Sequence, residues 1–177
     1  MKSLGAIARV TSKDMKKILL VIITAIVSSC ASFQSDDPDS LLFNIPKGST
    51  LSLNKKLTIP HSDTHVVVQG GKEIADRNKN EYAINCRLDL KEFGPRTIEP
   101  ETFAITRTED GQNWISHPSI LRFYTEVYLA SDKGTDIIKM VCQDYGGSTD
   151  RNFTVAEMQQ ALGDYFTFNF SFEKPKN

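Results

Sequence analysis

The sequence predicts a mainly β chain: a single small antiparallel β-sandwich or open barrel of about seven strands, with one short helix just before the last strand. Three observations predict it. Apolar and polar residues alternate with a period of two along most of the chain after Ser49. Turn residues such as Gly70-Gly71 and Asp132 to Gly134 break that alternation at intervals. Helix-start chemistry appears at one late position, Thr154.

Taken in order, "STLSLNKKLTIP" places Leu51 and Leu53 on one face and then Leu57 and Ile59, with Asn54 to Lys56 as a turn or bulge between them. "THVVVQGG" reads as a strand from His65 to Gln69, ended by the glycine pair. In "EYAINCRLDLKEF", Tyr82, Ile84, Cys86, Leu88 and Leu90 fall on one face and polar residues on the other. "ETFAITRTEDG" turns Phe103 and Ile105 inward. "SILRFYTEVYLA" turns Leu121, Phe123, Val127 and Leu129 inward, and "TDIIKMVCQDYGG" groups Ile138, Met140 and Cys142. Thr154 and Glu157 form a capping box, in which each side chain satisfies the other's free backbone amide. Phe153 and Met158 suit the accompanying hydrophobic staple, and Gly163 marks a stop, so the helix is about eight residues long. Phe166, Phe168, Phe170 and Phe172 then alternate with polar residues as a last strand.

The amino-terminal stretch is of another kind. In "MKKILLVIITAIVSSCASF", Lys16 and Lys17 precede an apolar run of ten residues from Ile18 to Val27. That run is too short to span a bilayer, which needs about 20 apolar residues. A basic front, a short apolar run and small residues after it describe a secretory signal peptide. Val27-Ser28-Ser29-Cys30 resembles the bacterial lipobox, in which an aliphatic residue and two small residues precede a lipidated cysteine. The resemblance implies lipidation of Cys30 and cleavage before it, with Met15 the better initiator than Met1. The alternative is a buried helix ending at an incidental cysteine. Among Gram-negative lipoproteins an Asp after the cysteine favours inner-membrane retention; Ala31 therefore implies the outer membrane, facing the periplasm. The expected organisation is a signal peptide over 1–29, the lipidated cysteine and a disordered acidic tether over 30–45, and a β-rich domain over 46–174.

Removing residues 1–29 takes five basic residues and one acidic one, leaving 16 and 21 and a net charge near −5. That balance argues against nucleic acid as a partner, which would favour a basic face. It also argues against electrostatic docking on anionic lipid, and leaves the lipid anchor as the expected membrane attachment. After Cys30 only Cys86 and Cys142 remain. Both fall on the apolar faces of their strands, so a disulfide is expected in an oxidising compartment, with two separate buried thiols as the rival reading. A bridge at their spacing requires neighbouring strands or a place where sheets converge.

Catalytic signatures are weak. His61-Ser62-Asp63-Thr64-His65 has two histidines four apart, but Pro60 before it and three valines after it make it a turn entering a strand, with no fourth ligand nearby. His117 sits before Pro118 in a loop. "GGSTD" at Gly146 to Asp150 is not a nucleophile elbow, and no phosphate loop is present. No catalytic residue, metal ligand or cofactor site is expected on these grounds. The outward face of "LRFYTEVYLA" presents Arg122, Tyr124 and Tyr128, residue types favoured in interfaces, as a candidate partner-binding surface unless the helix or tether covers it.

Leu57-x-Ile59-Pro60, Gln69-Gly70-Gly71, Tyr82-x3-Cys86 and Ile98-x-Pro100-x2-Phe103 occur in order, and over residues 46–130 the chain resembles a group of proteobacterial lipoproteins with a short β-rich domain. The resemblance implies architecture and location, not chemistry. The expected function is therefore a non-enzymatic binding or assembly module of the outer membrane, with another envelope protein as the expected partner. The alternative is an envelope hydrolase using paired carboxylates on glycan or peptide.

Overall fold

The computed structural model describes residues 34–172. The expected signal peptide, the start at Met15 and the lipidation site Cys30 lie outside the described residues. The strands are β1 (Thr50–Leu53), β2 (Leu57–Ile59), β3 (His65–Gln69), β4 (Lys72–Ile74), β5 (Asn85–Leu90), β6 (Arg96–Ile98), β7 (Glu101–Ser116), β8 (Ile120–Ala130), β9 (Ile137–Gly146) and β10 (Phe166–Asn169). The helix α1 spans Val155–Leu162. Eight strands form one curled antiparallel sheet in the order β10-β1-β7-β8-β9-β5-β3-β4, and β2 pairs with β6 apart from it. Of the two architectures the sequence left open, this is the open barrel: a half-barrel whose hollow is filled by α1, not two stacked sheets.

The core lies between the sheet's inner face and the helix. Leu51, Val66, Val68, Cys86, Leu88, Phe103, Val127, Met140 and Phe166 come from the strands, and Met158 and Leu162 from α1. Thr154 caps the helix, with its hydroxyl accepting from the Glu157 amide and the Glu157 carboxylate accepting from the Thr154 amide. Cys86 and Cys142 face each other in register on the adjacent strands β5 and β9 and are bonded, Cα to Cα 4.0 Å. The bridge therefore sits in the core directly beneath the helix side of the sheet.

Several expectations need correction. Tyr82 is 64 % exposed, not inward. Gln69 donates to the carbonyls of Asn80 and Ala83, which holds residues 80–83 in a turn, so the strand starts at Asn85. Ile138 points outward and Ile137 is buried in its place. A bulge puts Ile138 opposite no residue of β5, because Leu90 pairs with Ile137 and Asp89 with Lys139. One extra residue reverses the alternation beyond it. Phe172 is also exposed, lying edge-on to Phe43.

Gly70-Gly71 does more than end β3. Both have positive φ (56° and 70°), so the pair closes a two-residue hairpin onto β4, a conformation that side chains with a Cβ resist. β7 runs far past Ile105, to Ser116, and pairs with β8 along that length.

The described part of the tether is ordered. Residues 35–43 fold into turns, with the amides of Ser40 and Phe43 donating to Asp37 and Ser40. Phe43 is buried against Phe170, ring centroids 5.0 Å apart. The Ala156 amide, free in the first turn of α1, donates to the carbonyl of Pro38 at 3.1 Å. The compact unit accordingly begins at Ser35, ahead of the expected domain start at residue 46.

Candidate functional site

Alternation along β8 buries Leu121, Phe123, Thr125, Val127 and Leu129 and leaves Arg122, Tyr124, Glu126 and Tyr128 half-buried on the outer face. The helix lies on the opposite face, so it does not cover them, and nor do residues 35–43, which pack by α1 and Phe170. Arg122, Tyr124 and Tyr128 thus share one surface. Neighbouring strands complete it. The Arg107 guanidinium of β7 lies 3.7 Å from the centre of the Tyr128 ring, and the Arg122 guanidinium lies 4.6 Å from that of Tyr124. Such pairs contribute about 0.5–1 kcal/mol at exposed sites and hold the rings in place.

Hydrogen bonds tie the strip together. The Tyr128 hydroxyl and the Lys139 ammonium each donate to Glu126, both at 2.6 Å. Arg122 Nε donates to Gln143 Oε1 at 2.6 Å, and Gln143 Nε2 donates to Glu81 at 3.1 Å. Burial pushes the Glu126 carboxyl up, but the hydrogen bonds from Lys139 and Tyr128 outweigh it and hold the group below the usual range. Hydrogen bonding to Glu126, helped by burial, raises the Tyr128 phenol. The strip is therefore a fixed, charge-paired aromatic surface. It holds no activated nucleophile; what it offers chemically is rigid ring area flanked by donors and acceptors.

A second feature was missed. Asp144 of β9 follows Met140 and Cys142 on the inward-facing alternation, so a carboxylate stands at a core-facing position beside the first turn of α1. Its Oδ1 is buried without a hydrogen-bond partner among the described residues. Burial pushes this carboxyl up to about 6, and the charges of Glu157 and Asp150 push the same way. An open pocket of about 610 Å³ adjoins it, lined by Tyr82, Phe123, Tyr145 and Asp150 among others. The ring centroids of Tyr82 and Tyr145 lie 6.0 Å apart, edge to face. The signal that could have found this site was the aspartate on the buried phase of a strand. Its acidic neighbours are engaged elsewhere. Both Glu157 oxygens accept from Arg151, at 2.7 and 3.0 Å, which together with the capping box holds that carboxyl below the usual range. Asp150 Oδ2 accepts from the Gly147 amide at 2.6 Å.

The histidines are separated. His61 is exposed in the turn before β3, whereas His65 is in β3 with Nε2 3.8 Å from Asp76. His117 lies at the β7–β8 tip, 4.6 Å from the Trp114 ring. Among the described residues no three His, Cys, Asp or Glu side chains converge as a metal site would require, and no helix is long and apolar enough to cross a membrane. Comparison with protein-family models, with curated proteins and with solved structures returns no match to this chain.

Proposed function

We propose that this chain is a lipid-anchored binding module of the bacterial envelope, held on the outer membrane through Cys30 and facing the periplasm, and that its β-rich domain docks another envelope protein through the outer face of β8. The observation that carries the docking reading is the fixed Arg122, Tyr124 and Tyr128 surface. Tyrosine and arginine are the residue types that concentrate binding energy, and rings already held by neighbouring guanidinium groups lose little freedom on binding. The anchor reading rests on the order of basic residues, apolar run, small residues and cysteine. Up to three acyl chains would hold such a protein stably, where one holds only marginally.

A photoreactive residue placed at Tyr128 in the intact cell tests the docking reading. It is expected to capture one reproducible envelope protein, with capture reduced by Arg122→Ala. Failure to recover any reproducible protein would count against it. Metabolic labelling with a fatty-acid analogue tests the anchor: wild type is expected to carry label and Cys30→Ala none.

The second reading, an envelope hydrolase, is favoured by one observation, the raised Asp144 carboxyl at a pocket edged by Tyr82 and Tyr145. A carboxyl protonated near neutral pH suits a general acid. It ranks second because the Glu157 oxygens are already held by Arg151 and the Thr154 amide. Release of fragments from purified cell-wall glycan or peptide by wild type but not by Asp144→Asn would reverse the ranking.

A further inference from the structure

The longest strand in the sheet has a neighbour along only part of one side. β1 pairs with β7 from Glu101 to Ala104, and the Ile105 amide donates to Ser49. Beyond that point β1 has ended. From Thr106 to Ser116 β7 pairs with β8 alone, and among the described residues nothing pairs with its other side. Eleven residues at about 3.3 Å each leave some 35 Å of open sheet edge. An open edge is a row of unpaired backbone donors and acceptors that invites another strand.

The chemistry along the edge discriminates between occupants. Arg107, Glu109 and Asp110 guard its first half, and from Gly111 to Leu121 there is no charged residue. Trp114 and Ile115, each 46 % exposed, lie near the far end. Gly111 is the midpoint of the open segment. The Tyr124 ring lies where its side chain would be: a Cβ added there would come within 2.4 Å of the ring. In an antiparallel pairing of this edge with itself, the register that uses the whole open segment is centred on Gly111. That register sets Asp110 opposite the partner's Gln112 and Glu109 opposite the partner's Asn113, each pair occurring twice by symmetry. Every carboxylate then meets an amide donor and no like charges face each other. Centring one residue earlier would set Asp110 against the partner's Asp110. Shifts toward the start of β7 would drive the second copy into β1. The centred register also brings the partner's Trp114 to Thr108, beside a groove of about 220 Å³ whose lining includes Ile45, Pro46 and Ile105.

We propose that the open edge of β7 is the docking site for a second copy of this chain, pairing antiparallel about a two-fold axis at Gly111 and joining two half-barrels into one continuous sheet. The interface is isologous, so it closes at two copies. It uses the backbone on the side of β7 away from β8, and it meets the β8 surface at Arg107 and at the Tyr124 ring beside Gly111.

The test is sedimentation of the full chain in density-matched detergent, with paired charge variants. Wild type is expected to be a dimer. Gln112→Asp sets a carboxylate against the partner's Asp110 and is expected to weaken the dimer at least tenfold, whereas Gln112→Lys sets an ammonium there and is expected to tighten it. A wild-type chain that stays monomeric overturns the proposal, as does a dimer on which the two variants act alike. Register is read separately by co-expressing differently tagged copies, one Asp110→Cys and one Gln112→Cys. A disulfide joining the two tags is expected; crosslinking no better than between two Asp110→Cys copies overturns the register.

Discussion

Two regions of the same sheet, a closed end and the open end of a long hairpin, are built by opposite rules. At the β9-β5-β3 end both faces are covered. α1 fills the inside, and on the outside Val67 and Val141 are also buried, on the face where the Gln69 side chain holds the turn at residues 80–83. The Cys86–Cys142 bridge crosses the middle of that end. At the open end of the long hairpin, where β7 runs past β1, the distal half of β7 and the start of β8 pair, and β7 carries exposed side chains and an open edge. The comparison teaches where each property resides. Stability concentrates where strands have neighbours on both sides and cover on both faces. Surface available for recognition concentrates where β1 stops short.

The largest effect is expected at the closed end. Cys86→Ser removes a bridge that closes a loop of about 57 residues and should lower stability by about 3–4 kcal/mol, measured by denaturant unfolding under non-reducing conditions. A loss under 1 kcal/mol would erase the contrast between the ends. Thr154→Ala breaks the capping box of α1 and should cost about 1 kcal/mol.

Asp144→Asn should act in the opposite direction. The Asp144 carboxyl is raised from 3.8 to about 6 in the folded chain, so the folded state binds its proton more tightly than the unfolded state. Its contribution is most favourable below about pH 4 and declines as pH rises to about 6. The asparagine variant should lose that decline and gain about 1 kcal/mol at pH 7, after allowance for the screening of a half-exposed group. Unfolding measured at pH 4 and pH 7 reads this out as a change in the pH slope. The smallest effect is expected at the open end. In the dilute, monomeric chain Trp114→Ser should change stability by no more than about 0.5 kcal/mol, because the side chain lies at the hairpin tip outside the core and is nearly half exposed.

What could be read from the sequence follows the same division. The helix was legible because Thr154, Glu157 and Gly163 state its start and stop locally. β8 was legible because one face is buried along its whole length, which writes a clean alternation. The bridge was legible because both cysteines sit on such faces. Distal β7 was not legible: with no continuous buried face, "RTEDGQNWIS" has no reason to alternate. Ile138 was misplaced because a bulge leaves no mark in composition. Tyr82 was misplaced because a distant residue, Gln69, holds its turn. The folding of residues 35–43 onto the domain rests on Phe43 and on one carbonyl, that of Pro38, too little to stand out in an acidic stretch. The outer-face residues Arg122, Tyr124 and Tyr128 were named from spacing alone, whereas the Asp144 pocket depends on α1 packing against β9 and needed the fold.

Amide hydrogen exchange of the full chain, followed at several protein concentrations, tests the contrast most directly. Amides of β5 and β9 around Cys86 and Cys142 should be the slowest to exchange at every concentration. Those of β7 from Thr106 to Ser116 that face away from β8 should exchange fast when dilute and gain protection as concentration rises. Equal protection of the two regions in dilute solution would contradict the account, because it would mean that the β7 edge is already covered within a single chain.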